Sequence, residues 1–356
     1  MRNAVVAAPA LAALVAAIAV AALRRFARVL PADVPNARSL HVAPVPRAGG
    51  YAIWAGFLPA ALLFPLPFPG GVAGWMPAWL ALFAVSAADD RRSVGVGKRL
   101  AVQGVASVWT AAWLVHGATS AGAPAMTAVL AIGWTIGWAL CLAWSANLFN
   151  FMDGNDGLAA TMGICGFVAY GIAAMQAGGG QGALAESASG PAPSAAPALF
   201  ALAAAIVPFL AVNRPRASMF LGDAGAVPLG FLASAFGIGG IVSGQWPPWF
   251  PPLVFLPFIA DATLTLLRRV ARRERVWEGH RSHYYQRLHQ LGAGHAGTLT
   301  AYAAVMLGTG ASALACLIAA PAAGPWALAG WCVVVIMLFS AIDYHWRKNT
   351  TAPAPR

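Results

Sequence analysis

Between Asn147 and Gly157 the chain sets three carboxamides, two carboxylates and two glycines within eleven residues, NLFNFMDGNDG. Asp153 and Asp156 stand three apart, so on a helical turn both side chains reach one surface. Asn147, Asn150 and Asn155 add carboxamide oxygens, while Gly154 and Gly157 permit positive φ or close approach of a ligand to the backbone. Oxygen-only donors of this kind suit a hard cation such as Mg²⁺, with Mn²⁺ as a substitute, and do not suit zinc. An EF-hand is excluded, because its loop pattern requires Asp or Asn where Gly157 stands.

Other stretches carry matching chemistry. Asp89 and Asp90 are adjacent in SAADDRRSVGVGKRLAVQG. Neighbouring carboxylates repel, so one pKa rises unless a cation is near, which suits a general base or a metal ligand. Arg91 and Arg92 equally allow a plain charge cluster. FLGDAGAVPLG sets Asp223 between glycines, and HVAPVPRAGGY places His41 and Arg47 around two prolines, a stiff loop that delivers a guanidinium. EGHRSHYYQRLHQLG holds His280, Arg281, His283, Arg287 and His289, the densest cation-capable cluster in the chain. Its HxxH spacing has no third soft ligand beside it, so phosphate or pyrophosphate contact is the better reading than metal or an ordinary basic loop. The absence of a Walker loop and of GxGxxG excludes a P-loop ATPase and a dinucleotide fold.

The elements that must position these residues are membrane helices. Of 356 residues, 60% are hydrophobic and 9% charged, whereas a soluble domain carries about 25% charged residues. Apolar runs near membrane length fall at about 4–23, 50–69, 71–88, 100–118, 126–149, 157–177, 198–212, 225–244, 249–267, 296–319 and 326–343. They predict an all-α, polytopic membrane protein of about eleven spans forming a single domain. Every Lys and Arg except Arg2 follows an odd-numbered run. The positive-inside rule therefore puts the N-terminus outside and the C-terminus in the cytoplasm. The net charge of +11 then reports topology and anionic ligands, not nucleic acid. The four cysteines lie in apolar runs without CxxC spacing, which supports neither disulfides nor zinc. The first run is of full membrane length with its charges after it, a span and not a cleaved signal.

On this topology Asp89, Asp90, Asp153, Asp156 and Asp223 all lie at cytoplasmic span ends, with Asp261 about two turns inside one. Carboxylates at membrane depth are costly unless they face water, a cation or a partner. The competing reading, helix caps and solvated loop ends, has no reason to avoid the outer face; for Asp261 alone the two readings weigh equally. The site then draws on loops at about 24–49, 89–99, 150–156, 213–224 and 268–295, while the Gly/Ala/Ser/Pro-rich segment at about 178–197 reads as a flexible outer loop. Carboxylates, Mg²⁺ and basic loops at a membrane face fit phosphoryl transfer from a soluble phosphorylated donor to a membrane-bound acceptor.

RSLHVAPVPRAGG, DDRRSVGVGKRLAVQ, NLFNFMDGNDGLA, FLGDAG and HRSHYYQRLHQLG occur in this order from about Arg38 to Leu291. In this the chain resembles the polyprenyl-phosphate N-acetylhexosamine-1-phosphate transferases, glycosyl transferase family 4, which include the phospho-MurNAc-pentapeptide translocases. The resemblance implies Mg²⁺-dependent transfer of a sugar 1-phosphate from a UDP-N-acetylhexosamine to undecaprenyl phosphate, with release of UMP. It implies a multi-pass protein of the bacterial inner membrane with a cytoplasmic active site, and dimers occur in the family. Asn150 and Asp223 would hold the metal, Asp89 would be the base on the lipid phosphate, and Asp90 would support it. Asp153 and Asp156 would contact the nucleoside side of the donor. Asn147 would join the substrate-binding set, and Arg47, His41, His280, Arg281 and His283 would meet phosphates or sugar. Two departures stand out: Ala226 where many members have Ser, and HRSHYYQRL in place of a multi-His HxHH pattern. The second resembles the branch that primes O-antigen and other surface polysaccharides. The alternatives are the same chemistry on UDP-MurNAc-pentapeptide, and a transporter or assembly protein without catalysis.

Overall fold

The computed structural model describes residues 2–33, 43–64, 67–120, 127–179, 194–275 and 280–351; His41 and residues 180–193 of the expected outer loop lie outside them. The architecture is all-α. In chain order the helices are α1 (Arg2–Arg25), α2 (Gly49–Leu63), α3 (Gly71–Arg91), α4 (Val96–Ser120), α5 (Ala128–Met152), α6 (Leu158–Gly179) and α7 (Ala196–Asn213). They continue as α8 (Asp223–Val242), α9 (Phe250–Val254), α10 (Leu256–Ala271), α11 (Tyr284–Leu288), α12 (Gly294–Ala319) and α13 (Gly324–Thr351). The apolar runs fall on helices, although α2 ends at Leu63, short of the second run's expected end at 69. The ninth is broken at Phe255 into α9 and α10, where Pro257 supplies no amide to a continuous helix.

Among the described residues, eight helical segments are long and apolar enough to cross a membrane: α1, α3, α5, α6, α7, α8, and two that contain α12 and α13. α2 is shorter, at 15 residues. α4 opens with Lys98 and Arg99, and α10 carries Asp261, Arg268 and Arg269.

α8 lies at the centre, packed on α2, α3, α4 and α5. Glycines set these crossings, as small residues do where helices pack within a membrane. A Cβ on Gly230 would stand 2.2 Å from the Ser145 carbonyl oxygen, and one on Gly50 would stand 2.4 Å from the Gly225 nitrogen. Ser145 Oγ also donates to the Gly230 carbonyl at 2.7 Å, locking α5 to α8. The short strands β1 (Ala32–Asp33) and β2 (Val45–Pro46) pair antiparallel and lead the chain to the amino end of α8. There Phe220 N–H donates to Pro46 O at 2.8 Å, and the amides of Gly49 and Gly50 donate to Phe220 O and Leu221 O, both at 2.9 Å.

Candidate active site

Asp89 and Asp90 end α3, Arg99 lies in the first turn of α4, Asn150 and Asp153 close α5, and Asp223 opens α8. Hydrogen bonds bring three of these segments together. The amides of Asp223 and Ala224 donate to the two oxygens of Asp90, at 3.0 and 2.9 Å. Asp90 is thus the cap that the amino end of α8 lacks in its own sequence, since Gly222 precedes the helix. Gly222 must be glycine twice over: its φ is +75°, and a Cβ would meet Asp90 Oδ2 at 2.9 Å.

Asp89 is held differently. Its Oδ1 accepts the Val94 amide at 2.6 Å, and its Oδ2 accepts Arg99 Nη1 at 2.6 Å. The same Nη1 reaches Asp223 Oδ2 at 3.1 Å, so one guanidinium bridges the carboxylates of two helices. The sequence marks Arg99 only as a topological charge; its place as the fourth residue of α4, ten after Asp89, is the available signal. Arg47 pairs with Asp33 at 2.5 Å.

The Asn147–Gly157 stretch divides into two kinds of residue. Asn147 Nδ2 donates to Gln103 Oε1 at 2.7 Å, which ties α5 to α4. Asp156 is buried and accepts the amides of Arg216 and Ala217, each at 3.1 Å, while its own amide donates to His295 Nδ1. Gly157 adopts φ +75° and donates to Asn213 Oδ1 at 3.0 Å. By contrast, the Asn150 and Asp153 side chains form no hydrogen bond or ion pair among the described residues. Desolvation pushes the Asp153 carboxyl well above the usual range, helped by the carboxylates of Asp223, Asp90 and Asp156 and opposed by Arg47. Gly154 leaves room for the protein itself: a Cβ there would lie 2.1 Å from the Tyr285 hydroxyl, which donates to Phe151 O at 3.0 Å.

That tyrosine belongs to the basic loop, which hangs from two acids. Asp261, fully buried in α10, accepts the amides of Tyr284 (2.9 Å) and Tyr285 (3.0 Å), together with the Tyr302 hydroxyl (2.5 Å). His283 Nδ1 lies 3.2 Å from it. Of the two readings of Asp261, the structure gives the cap, here of α11. Asp343 on α13 pairs with both Arg268 and Arg287, and Tyr284 stacks on Phe339 with centroids 3.9 Å apart. Arg287 therefore faces a carboxylate of the protein.

His283 is buried and stacks on Phe151 at 5.9 Å, next to the end of α5. His280 stacks on His283 at 4.8 Å, and its Nδ1 lies 2.8 Å from Ser282 Oγ. Desolvation, then the charges of His283 and Arg269, lower the His280 pKa to about 4, so its imidazole is neutral at neutral pH. Arg281 lies half-buried beside it.

The site is an acidic cluster faced by basic groups, with carboxylates from α3, α5 and α8 outnumbering the guanidiniums of Arg47 and Arg99. Its donors are all oxygen, which fits a hard cation. Among the described residues no three His, Cys, Asp or Glu side chains already stand as a metal cluster.

Glycosyl transferase family 4 matches residues 72–241 of this chain. The probable undecaprenyl-phosphate N-acetylglucosaminyl 1-phosphate transferase of Bacillus subtilis (strain 168) is 26% identical over 269 residues, 74% of this chain and 71% of that protein. The undecaprenyl-phosphate alpha-N-acetylglucosaminyl 1-phosphate transferase of Yersinia pestis is 32% identical over 56% of this chain and 53% of its own length. The decaprenyl-phosphate N-acetylglucosaminephosphotransferase of Mycobacterium leprae (strain TN) is 28% identical over 73% of this chain and 70% of its own. The family match spans the α3 carboxylates, the end of α5 and the capped start of α8, so the residues of this site fall within the stretch that is similar to glycosyl transferase family 4.

Proposed function

We propose that this protein transfers an N-acetylhexosamine 1-phosphate from a UDP-sugar to a polyprenyl phosphate such as undecaprenyl phosphate, releasing UMP. The observation that carries this reading is the meeting of Asp89 and Asp223 at one guanidinium, with the Asp153 carboxyl near that of Asp223. The names of the relatives supply the substrate class.

In this reading an oxygen of the lipid phosphate attacks the donor phosphorus that bears the sugar. The bond from that phosphorus to the bridging oxygen breaks, and UMP leaves with the electron pair. Asp89 lies next to the acceptor phosphate and keeps it deprotonated. Asp223 and Asn150 would hold Mg²⁺, which would supply charge neutralisation at the diphosphate and the leaving group. Asp90 fixes where Asp223 sits by holding its amide. Asp153 faces the donor, and His280, Arg281, His283 and Arg47 approach it from the loops. His280 acts there as a neutral hydrogen-bonding group.

The protein works in the cytoplasmic membrane with this site on the cytoplasmic side, priming a surface polysaccharide. The test is UMP release by purified protein with undecaprenyl phosphate, Mg²⁺ and a panel of UDP-N-acetylhexosamines that includes UDP-MurNAc-pentapeptide. Release with a simple hexosamine donor is expected. No UMP from any donor would overturn the reading.

A further inference from the structure

Arg99 Nη1 stands 2.6 Å from Asp89 Oδ2 and 3.1 Å from Asp223 Oδ2. A divalent cation drawn to these oxygens needs the space that the guanidinium fills. Two carboxylates this close repel unless a cation lies between them. A single positive charge answers only one of them, whereas a divalent ion answers both. The other basic groups nearby are committed elsewhere: Arg47 to Asp33, and Arg91 to the Ala87 carbonyl and the face of Tyr51. Arg99 side-chain exposure is 30%, so the guanidinium has solvent on one side into which to move.

We propose that Arg99 is a built-in counter-ion that competes with the metal in the empty site and turns to the donor diphosphate when the metal arrives. This rests on the transferase reading given above. It makes metal and donor arrive together: the ion displaces the guanidinium, and the displaced guanidinium finds a new anion in the diphosphate. Without a donor, metal binding takes Asp223 from Arg99 and is weak. With a donor, both cations have partners. Arg99 is then a positioning residue whose removal has opposite effects on two binding steps.

The test uses the purified full chain in detergent, with Mn²⁺ as the probe and electron paramagnetic resonance counting free ion. Without nucleotide, Arg99→Met is expected to bind Mn²⁺ about tenfold more tightly than wild type, equivalent to ~1.4 kcal/mol. Arg99→Lys is expected to fall between them. Arg92→Met, which removes an equal charge one turn away from the bridge, is expected to change Mn²⁺ affinity far less. In turnover, Arg99→Met is expected to raise the donor KM more than it lowers kcat, with Arg99→Lys restoring part of the loss. Equal or weaker Mn²⁺ binding by Arg99→Met would overturn the proposal, as would an equal gain in Arg92→Met. Thermal unfolding of each variant shows whether it is folded, and Arg99→Lys keeps the test alive if Arg99→Met is not. If no donor yields UMP with wild type, the transferase reading fails, while the order of Mn²⁺ affinities still decides the role of Arg99.

Discussion

Asp89 and Asp90 are neighbours of identical chemistry, yet the structure gives them different work, and substitution separates them. Asp90 is 8% exposed and accepts the first two amides of α8. A hydrogen bond to a charged group contributes about 1.5–3 kcal/mol, and losing an N-cap costs about 0.5–2 kcal/mol. Asp90→Ala leaves both amides unmet and is expected to cost roughly 3–5 kcal/mol. Asp90→Asn keeps one acceptor but turns an NH₂ toward the other amide, for about 2 kcal/mol. The expected order of thermal stability in detergent is wild type, Asp90→Asn, Asp90→Ala, with Asp90→Asn a few degrees below wild type. Asp90→Asn should retain measurable UMP release, weakened because Asp223 is less well placed. Asp89→Asn should melt near wild type and lose most turnover. The reasoning is refuted if Asp90→Asn melts with wild type and is as inactive as Asp89→Asn, for Asp90 would then act on substrate and not on α8.

Two further outcomes follow. The fold holds the Asp153 carboxyl above its ordinary value, so the folded chain binds that proton more tightly than the unfolded chain. Its contribution is therefore lost as pH rises above the unfolded carboxylate value of about 4. Asp153→Asn should raise the melting temperature of metal-free protein at neutral pH, with the gain vanishing as pH falls below about 4 in a pH-resolved melting series. The same variant should bind donor more weakly. Asp343→Asn breaks two ion pairs that hold the basic loop and should cost about 2 kcal/mol. It should also raise donor KM more than it lowers kcat, and limited proteolysis should cut near His280 faster.

How much of this was legible in the sequence depended on range. The all-α membrane architecture was readable because apolar length is a local property; the break of the ninth run at Phe255 was not. That Asp89, Asp90, Asp153 and Asp223 lie near one another was readable from their common side and order. Their division of labour was not, because it depends on contacts far apart in the chain. Asp90 and Asp223 are 133 residues apart, and nothing local marks Asp90 as another helix's cap. Asp156 and Asn147 looked like ligand contacts for the same reason: their partners in the 216–217 turn and on α4 are set by packing. Gly154 read as space for a ligand, and the loop's own Tyr285 fills it. Asp343 gave no sequence signal at all, since a lone acid on the last helix is indistinguishable from a surface charge.

The two anchors of the basic loop have a consequence for how such an enzyme diversifies. Asp261 grips the chain at residues 283–285 and Asp343 grips Arg287, so both anchors hold the loop on the carboxyl side of His280 and Arg281. Both acids lie beyond the residues 72–241 that match the family. The lip at 280–282 can therefore exchange side chains without loosening its mounting or the carboxylates of α3 and α8. Mutation has a small patch there on which to try new sugar preferences. Swapping those three residues between relatives is the natural first graft for redirecting the donor.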